Sequence, residues 1–338
     1  YKPAEENPDK FHSTSAFEIE TGKTLKEKQT DYSKIFGNKL IQLAEENNKI
    51  VAITASMKDG TGLTEFQKKF PNRFFDVGIA EQHAIGFSAG LASNGMIPVV
   101  PIYSSFYQRA YDQVIHDVCI QNLPVIMCVD RAGIVGADGE THQGILDLSF
   151  FNIIPNLTIM APKNFKELED MLEFATKLNK PVVIRYPRGG EGKNVFKENT
   201  KIEYGKSEIL QEGNDISILA IGKMVDRAID VCNKLKEDNI NAEVINIRFL
   251  KPLDKETIIN SVKKTKNCIT IEDNILLGGL ASNVKELLLD NKLDVNIKTF
   301  GYPNKFIKHG SVEDIEKKYG LDTESIYNYV INNFKKGN

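Results

Sequence analysis

Three short stretches of the sequence concentrate groups that can do acid–base and anion chemistry. Gly78-Ile79-Ala80-Glu81 offers a carboxyl beside an apolar run, and Tyr103-Ser104-Ser105-Phe106 with Arg109 offers two aromatic rings and a guanidinium. Arg131, Asp138 and His142 add a second guanidinium, a carboxylate and an imidazole. Phe74, Phe75, Val77 and Ile79 argue that Glu81 is buried, and a carboxyl in an apolar pocket holds its proton differently from one in water. Guanidinium forks suit phosphate and carboxylate by paired hydrogen bonds, which fits Arg131 and Arg188 to an anion. Each residue also has a plainer reading. A Glu in the first turn of a helix usually complements the helix dipole, a Phe at a helix start usually packs inward, and a lone arginine is usually solvated. His83 and His116 read as structural, since neither has a histidine four residues away to make a helical metal pair.

The elements that must position these groups read as strands over 50–54, 73–77, 97–103, 124–130, 157–161 and 181–185. They alternate with helices over 31–47, 80–93, 105–119 and 164–178. Such alternation makes a parallel sheet, and ligands of an open parallel sheet bind outside the carboxyl ends of its strands. Glu81, Phe106 and Arg131 each follow one of those ends. A second alternation follows, with strands over 216–221, 242–247, 267–272 and 295–299 and helices over 225–236, 254–262, 280–289, 312–318 and 323–334. The expected fold class is therefore α/β, with two open, mainly parallel-sheet domains over 31–190 and 206–338. Residues 191–205 form the linker, and the polar stretch 1–30 reads as an extended connector.

Composition removes several function classes. The 338 residues are 41% hydrophobic and 26% charged with a formal net charge of −3, ordinary values for a globular protein of two domains. No basic stripe with interleaved aromatics points to nucleic acid, and no run approaches the roughly 18 apolar residues of a membrane span. Cys119, Cys128, Cys232 and Cys268 have neither zinc-site spacing nor the density of a disulfide scaffold, and read as reduced thiols of a cytoplasmic protein. The dinucleotide-binding, P-loop, zinc-protease and serine-hydrolase motifs are absent. The opening Tyr1-Lys2-Pro3-Ala4 has no initiator Met, so the chain is expected to begin inside a longer protein.

Longer strings carry a resemblance. Asp76-Val77-Gly78-Ile79-Ala80-Glu81-Gln82-His83-Ala84, Tyr103-Ser104-Ser105-Phe106-Tyr107-Gln108-Arg109, Asp130-Arg131-Ala132-Gly133-Ile134-Val135-Gly136, Thr141-His142-Gln143-Gly144 and Arg185-Tyr186-Pro187-Arg188-Gly189 resemble the deoxyxylulose-5-phosphate synthase family. Pro3-Ala4-Glu5-Glu6 with Phe11-His12 extends the likeness into the connector. The resemblance implies a pyrimidine-binding thiamine-diphosphate domain followed by a transketolase C-terminal domain. It also implies that an N-terminal domain, which holds the diphosphate through Mg²⁺, is missing from this chain. The family condenses pyruvate with glyceraldehyde 3-phosphate as a homodimer, in a bacterial cytoplasm or a plastid.

By resemblance, Glu81 would bond the aminopyrimidine ring, Ile79 and Phe106 would contact it, and Arg109 would lie near. Tyr103, Arg131, Asp138 and Arg188 would hold the phosphorylated substrate, while His142 and His12 would move protons. No metal ligand is expected in this chain. The β subunit of a 2-oxo acid dehydrogenase and a separately encoded C-terminal half of transketolase share the layout, but the strings around Arg109 and Arg131 and the connector favour the synthase. A non-catalytic module is disfavoured because it has no physical need for Glu81, Phe106, Arg131, His142 and Arg188 together.

Overall fold

The structure is a computed structural model that describes residues 1–6, 8–11, 16–25, 30–196 and 201–334. Its strands are β1 Ile50–Thr54, β2 Phe74–Asp76, β3 Ile97–Tyr103, β4 Ile126–Asp130, β5 Thr158–Met160 and β6 Val182–Arg185 in the first half. In the second half they are β7 Glu208–Gln211, β8 Ile216–Ala220, β9 Ala242–Asn246, β10 Phe249–Lys251, β11 Asn267–Ile275 and β12 Asn296–Tyr302. Among the described residues the first sheet runs β10-β5-β6-β4-β3-β1-β2, parallel except for β10, and the second runs β12-β11-β8-β9-β7, parallel except for β7. The two-domain α/β expectation holds.

Strands β1, β4, β6, β8 and β9 are buried along their whole length, which is why they appear in the sequence as short, largely apolar stretches. Both faces of each sheet are covered. Helices Tyr32–Glu46 and Phe165–Leu178 close one face of the first sheet through Phe36, Leu40, Leu168 and Leu172. Asp31 and Asn164 start these helices by accepting the amides of Lys34 and Glu167. On the other side a single apolar cluster runs across both domains, from Val100, Val129 and Leu148 to Leu219, Ile245 and Leu280. The domains are thus joined by core rather than by a wet contact.

A buried ionic group reinforces that junction. Arg248 reaches Glu167 Oε1 (2.7 Å) and Glu208 Oε2 (3.0 Å), and Lys163 Nζ lies 3.1 Å and 2.8 Å from the same two carboxylates. These side chains are at most 4% exposed. The pairing explains how four charges are tolerated away from water.

Several elements depart from the sequence reading. The connector is not extended where it is described: short helices Lys2–Glu6 and Pro8–Phe11 and the bridge Phe17↔Thr24 fold it, because the rings of Tyr1, Phe11 and Phe17 collapse together at 5.2–5.8 Å. Strands β7 and β10 were not expected. β10 crosses to pair antiparallel with β5, so the second half of the chain contributes the edge of the first sheet. The expected helix over 105–119 is instead a 3₁₀ segment Ser104–Ala110, one α-turn Tyr111–Gln113 and a π-turn Val114–Cys119. Tyr107 pins the tight part, fully buried with its hydroxyl donating to Val100 O at 2.6 Å.

Candidate active site

Glu81 is set by the turn that follows β2. Asp76 Oδ1 accepts the amides of Ser56 (2.9 Å) and Gly78 (3.0 Å), and Gly78 turns the chain at φ +74°. Helix Glu81–Ser93 then starts with Glu81 in its first turn, where the helix dipole favours a carboxylate. Glu81 is 1% exposed, as expected, although Ile79 does not cover it: that side chain stands 81% exposed. The partner of Glu81 is Arg109, whose Nη1 donates to Oε1 at 2.6 Å.

The 3₁₀ winding of Ser104–Ala110 has a direct consequence. With three residues per turn, positions i and i+3 eclipse, so Phe106 and Arg109 share one face. The Arg109 guanidinium lies 4.7 Å from the Phe106 ring centre. Phe106 in turn meets the Tyr103 ring at 5.7 Å and the His142 ring edge-on at 5.3 Å. Arg131 lies over the far ring, 3.7 Å from the centre of Tyr103. Burial pushes the Tyr103 hydroxyl upward in pKa against the pull of Arg131. The loop at Gly60 closes over that hydroxyl, since a Cβ there would fall 1.7 Å from it. Glu81, Arg109, Phe106, Tyr103, Arg131 and His142 therefore form one contiguous chain of contacts.

Arg131 and His142 belong to one closed loop. Gly133 and Gly144 bond each other across its neck at 2.6 and 2.7 Å, with no room for a side chain at Gly144. Inside the loop Gln143 accepts the amides of Val135 and Gly136 and donates to Gly136 O. Arg131 sits at φ +58°, a conformation that costs a non-glycine residue on the order of 1 kcal/mol and must be held by its surroundings. Asp138, near the loop tip, pairs with exposed Arg188 at 2.6 Å, which brings together two of the four residues expected to hold the phosphorylated substrate. His142 Nδ1 lies 2.9 Å from the Thr141 hydroxyl. His12 lies outside the described residues. His83 and His116 are exposed on the surface.

Sequence reasoning missed the supports beneath these groups. Asp147 bonds Ser104 Oγ (2.7 Å) and Arg185 Nε (2.7 Å), fastening the start of the 3₁₀ segment to the end of β6. Asp130, at the end of β4, accepts Ser33 Oγ at 2.7 Å, and burial pushes its carboxyl up to about 7. A charged residue closing an apolar run was the available signal, because such a residue must find a buried partner.

The arrangement offers a buried carboxylate flanked by a half-buried ring and an exposed isoleucine, a surface suited to a flat heteroaromatic ring with one basic nitrogen. Beside it, Arg131 and Arg188 can meet a phosphate. No group of three or more His, Cys, Asp or Glu able to hold a metal lies among the described residues, and no helix there is long and apolar enough to cross a membrane.

Comparison with known proteins agrees with this geometry. The family model "Transketolase, pyrimidine binding domain" matches residues 28–191, and "Transketolase, C-terminal domain" matches residues 205–326. The chain is 51% identical over 336 residues to 1-deoxy-D-xylulose-5-phosphate synthase of Caldanaerobacter subterraneus, covering 99% of this chain and 54% of that protein. It is 50% identical over 332 residues to the synthase of Clostridium acetobutylicum, covering 98% and 54%. The chain thus spans about half the length of the curated relatives it matches. Among solved structures it is similar to a split-gene transketolase described as an inactive β4 tetramer (TM-score 0.82, 30% identity, 90% of this chain and 98% of that one). A transketolase variant from Pichia stipitis shares the fold at TM-score 0.73 and 18% identity, covering 90% and 46%.

Proposed function

The chain belongs to the transketolase family, and from that premise we propose that it is the pyrimidine-binding and C-terminal half of a 1-deoxy-D-xylulose-5-phosphate synthase. Its reaction is the decarboxylative joining of pyruvate to glyceraldehyde 3-phosphate, the entry to isoprenoid and thiamine precursors. The observation that carries this reading is the buried Glu81 joined through Arg109 to Phe106 and through Tyr103 to Arg131. Curated synthases about 50% identical across nearly the whole chain support the choice within the family.

Thiamine diphosphate is the implied cofactor, and the residues present fit one end of it. Glu81, Phe106 and Ile79 suit the aminopyrimidine ring, with Arg109 fixing the Glu81 carboxylate. The proposal assigns the diphosphate and its Mg²⁺ to an N-terminal half, as the likeness to the full-length synthases implies. When bound, the cofactor supplies a carbon nucleophile and an electron sink for decarboxylation.

Arg109 occupies Glu81 Oε1, so Oε2 is the oxygen that would bond the ring nitrogen and hold a proton there. Phe106 would be the ring against which the pyrimidine stacks. Arg131 and Arg188 bind the phosphate, with Tyr103 and Asp138 setting their positions, so that the aldehyde carbon is held where the new bond forms. His142, and His12 from the connector, carry protons to and from substrate oxygens. The domain limits 31–190 and 206–338, the linker 191–205, a homodimer and a cytoplasmic location complete the proposal.

The test supplies the N-terminal half, Mg²⁺ and thiamine diphosphate and follows deoxyxylulose phosphate from the two substrates. Formation of that product, lost in Glu81→Ala, supports the proposal. Ketose-to-aldose transfer without decarboxylation would favour a split transketolase, a reading kept open by the match along 98% of the split-gene chain. Acyl transfer to lipoamide would instead identify a dehydrogenase subunit.

A further inference from the structure

We infer that Asp273, in the second domain, is a positioning residue for the loop 131–144 of the first domain. The inference deepens the proposed function, since it rests on that loop meeting the phosphorylated substrate. Asp273 lies in β11 and is wholly buried. Its Oδ1 accepts the amide of Ile134 at 3.2 Å, while Oδ2 lies 2.9 Å from Lys223 Nζ, which also pairs with Glu316 at 3.1 Å. Its backbone carbonyl accepts Arg185 Nη2 at 2.5 Å. The carboxylate is therefore held at both oxygens, by the loop amide and by Lys223, while Arg185 holds the strand backbone beside it.

The fit is close. A Cβ on Gly133 would fall 1.7 Å from Asp273 Oδ2, and Gly133 turns at φ +76°, so the loop backbone lies directly against this carboxylate. The far end of the loop is held by the same strand, where the Ile275 amide donates to Ile145 O at 2.9 Å. Farther along the loop, a Cβ on Gly136 would meet the carbonyl of Gly310 at 2.8 Å. The second domain thus backs a loop whose Arg131 and His142 meet Tyr103 and Phe106 of the first domain. Ile134 is three residues from Arg131, so loss of its bond to Asp273 moves the guanidinium through a short, stiff length of chain. Misplacement of a binding group by about 1 Å costs up to roughly a hundredfold in rate.

Two variants and two readings test this. Asp273→Ala removes the acceptor, and Asp273→Asn keeps an oxygen for the Ile134 amide while losing the charge that faces Lys223. Amide hydrogen exchange is read on the chain itself, and kinetics are read with the N-terminal half supplied. In Asp273→Ala the segment 131–144 should exchange on the order of tenfold faster while β8 is unchanged. The KM for glyceraldehyde 3-phosphate should rise on the order of tenfold while the KM for pyruvate stays within about twofold. Asp273→Asn should recover most of both effects.

Unchanged exchange in 131–144, or exchange that rises equally throughout the second domain, overturns the inference and leaves Asp273 a general structural residue. A loosened loop with unaltered aldehyde kinetics overturns it as well. If the loop loosens selectively while the wild-type protein makes no sugar phosphate at all, the positioning of the loop stands and the synthase reading falls.

Discussion

The two domains share one architecture and use the same part of it in opposite ways. In the first, the carboxyl ends of β2, β3 and β4 lead into buried Glu81, half-buried Phe106 and Arg131 and exposed Arg109, arranged around a surface a ligand can reach. In the second, the residues at and beyond the ends of β8 and β9 and late in β11 are Lys223, Arg248 and Asp273, and each is paired with charge and turned toward other protein. The rule that an open parallel sheet binds at its carboxyl edge selects both regions. What separates them is enclosure: ion pairs largely enclosed by protein hold the fold, and the pairs with one member open to solvent, Glu81–Arg109 and Asp138–Arg188, are left for chemistry.

Substitutions can break that comparison, and the largest effect is expected at the open edge. Glu81→Ala should lower turnover by about 10²- to 10⁴-fold, the usual contribution of a placed proton-transfer group, with little change in melting temperature. At the closed edge Arg248→Met takes a guanidinium away from buried Glu167 and Glu208. It should cost on the order of 3–5 kcal/mol in urea unfolding, and the specific activity of the folded fraction should be kept. Arg188→Ala removes a charge that is 47% exposed, so stability should shift by less than about 1 kcal/mol. Its signature is instead a KM for the phosphorylated substrate that rises on the order of tenfold with pyruvate unaffected.

A pH dependence marks the same boundary. Burial raises the Asp130 carboxyl from its ordinary 3.8 to about 7, so between those pH values the folded chain holds a proton that the unfolded chain has lost. Stability must then fall as pH rises through that window. Asp130→Asn should flatten this part of the slope when unfolding free energy is measured against pH. Glu272, in β11, behaves in the same sense: burial pushes it up to about 8 although the amides of Leu280 and Ala281 favour its charged form.

Much of this was legible in the sequence because buried parallel strands write themselves as apolar runs, and the residues after those runs mark the carboxyl edge. Glu81, Tyr103, Phe106, Arg131 and His142 could be chosen that way. β7 and β10 could not, since four and three residues carry no readable period and β10 pairs with β5, far off in the chain. Nor could the 3₁₀ winding that puts Arg109 over Phe106, because seven residues do not separate a period of 3.0 from one of 3.6. The support of the loop was hidden for another reason. Ile134 and Asp273 are 139 residues apart, and only tertiary packing brings them together.

The central claim is that the first-domain edge is one half of a thiamine-diphosphate site, centred on Glu81. Calorimetric titration of thiamine diphosphate with Mg²⁺, into the chain alone and into the chain joined by the N-terminal half, tests it most directly. Weak or no heat is expected from the chain alone, with saturable binding by both halves and a loss of affinity in Glu81→Ala. Tight binding by the chain alone, or binding by both halves that Glu81→Ala leaves unchanged, would contradict it.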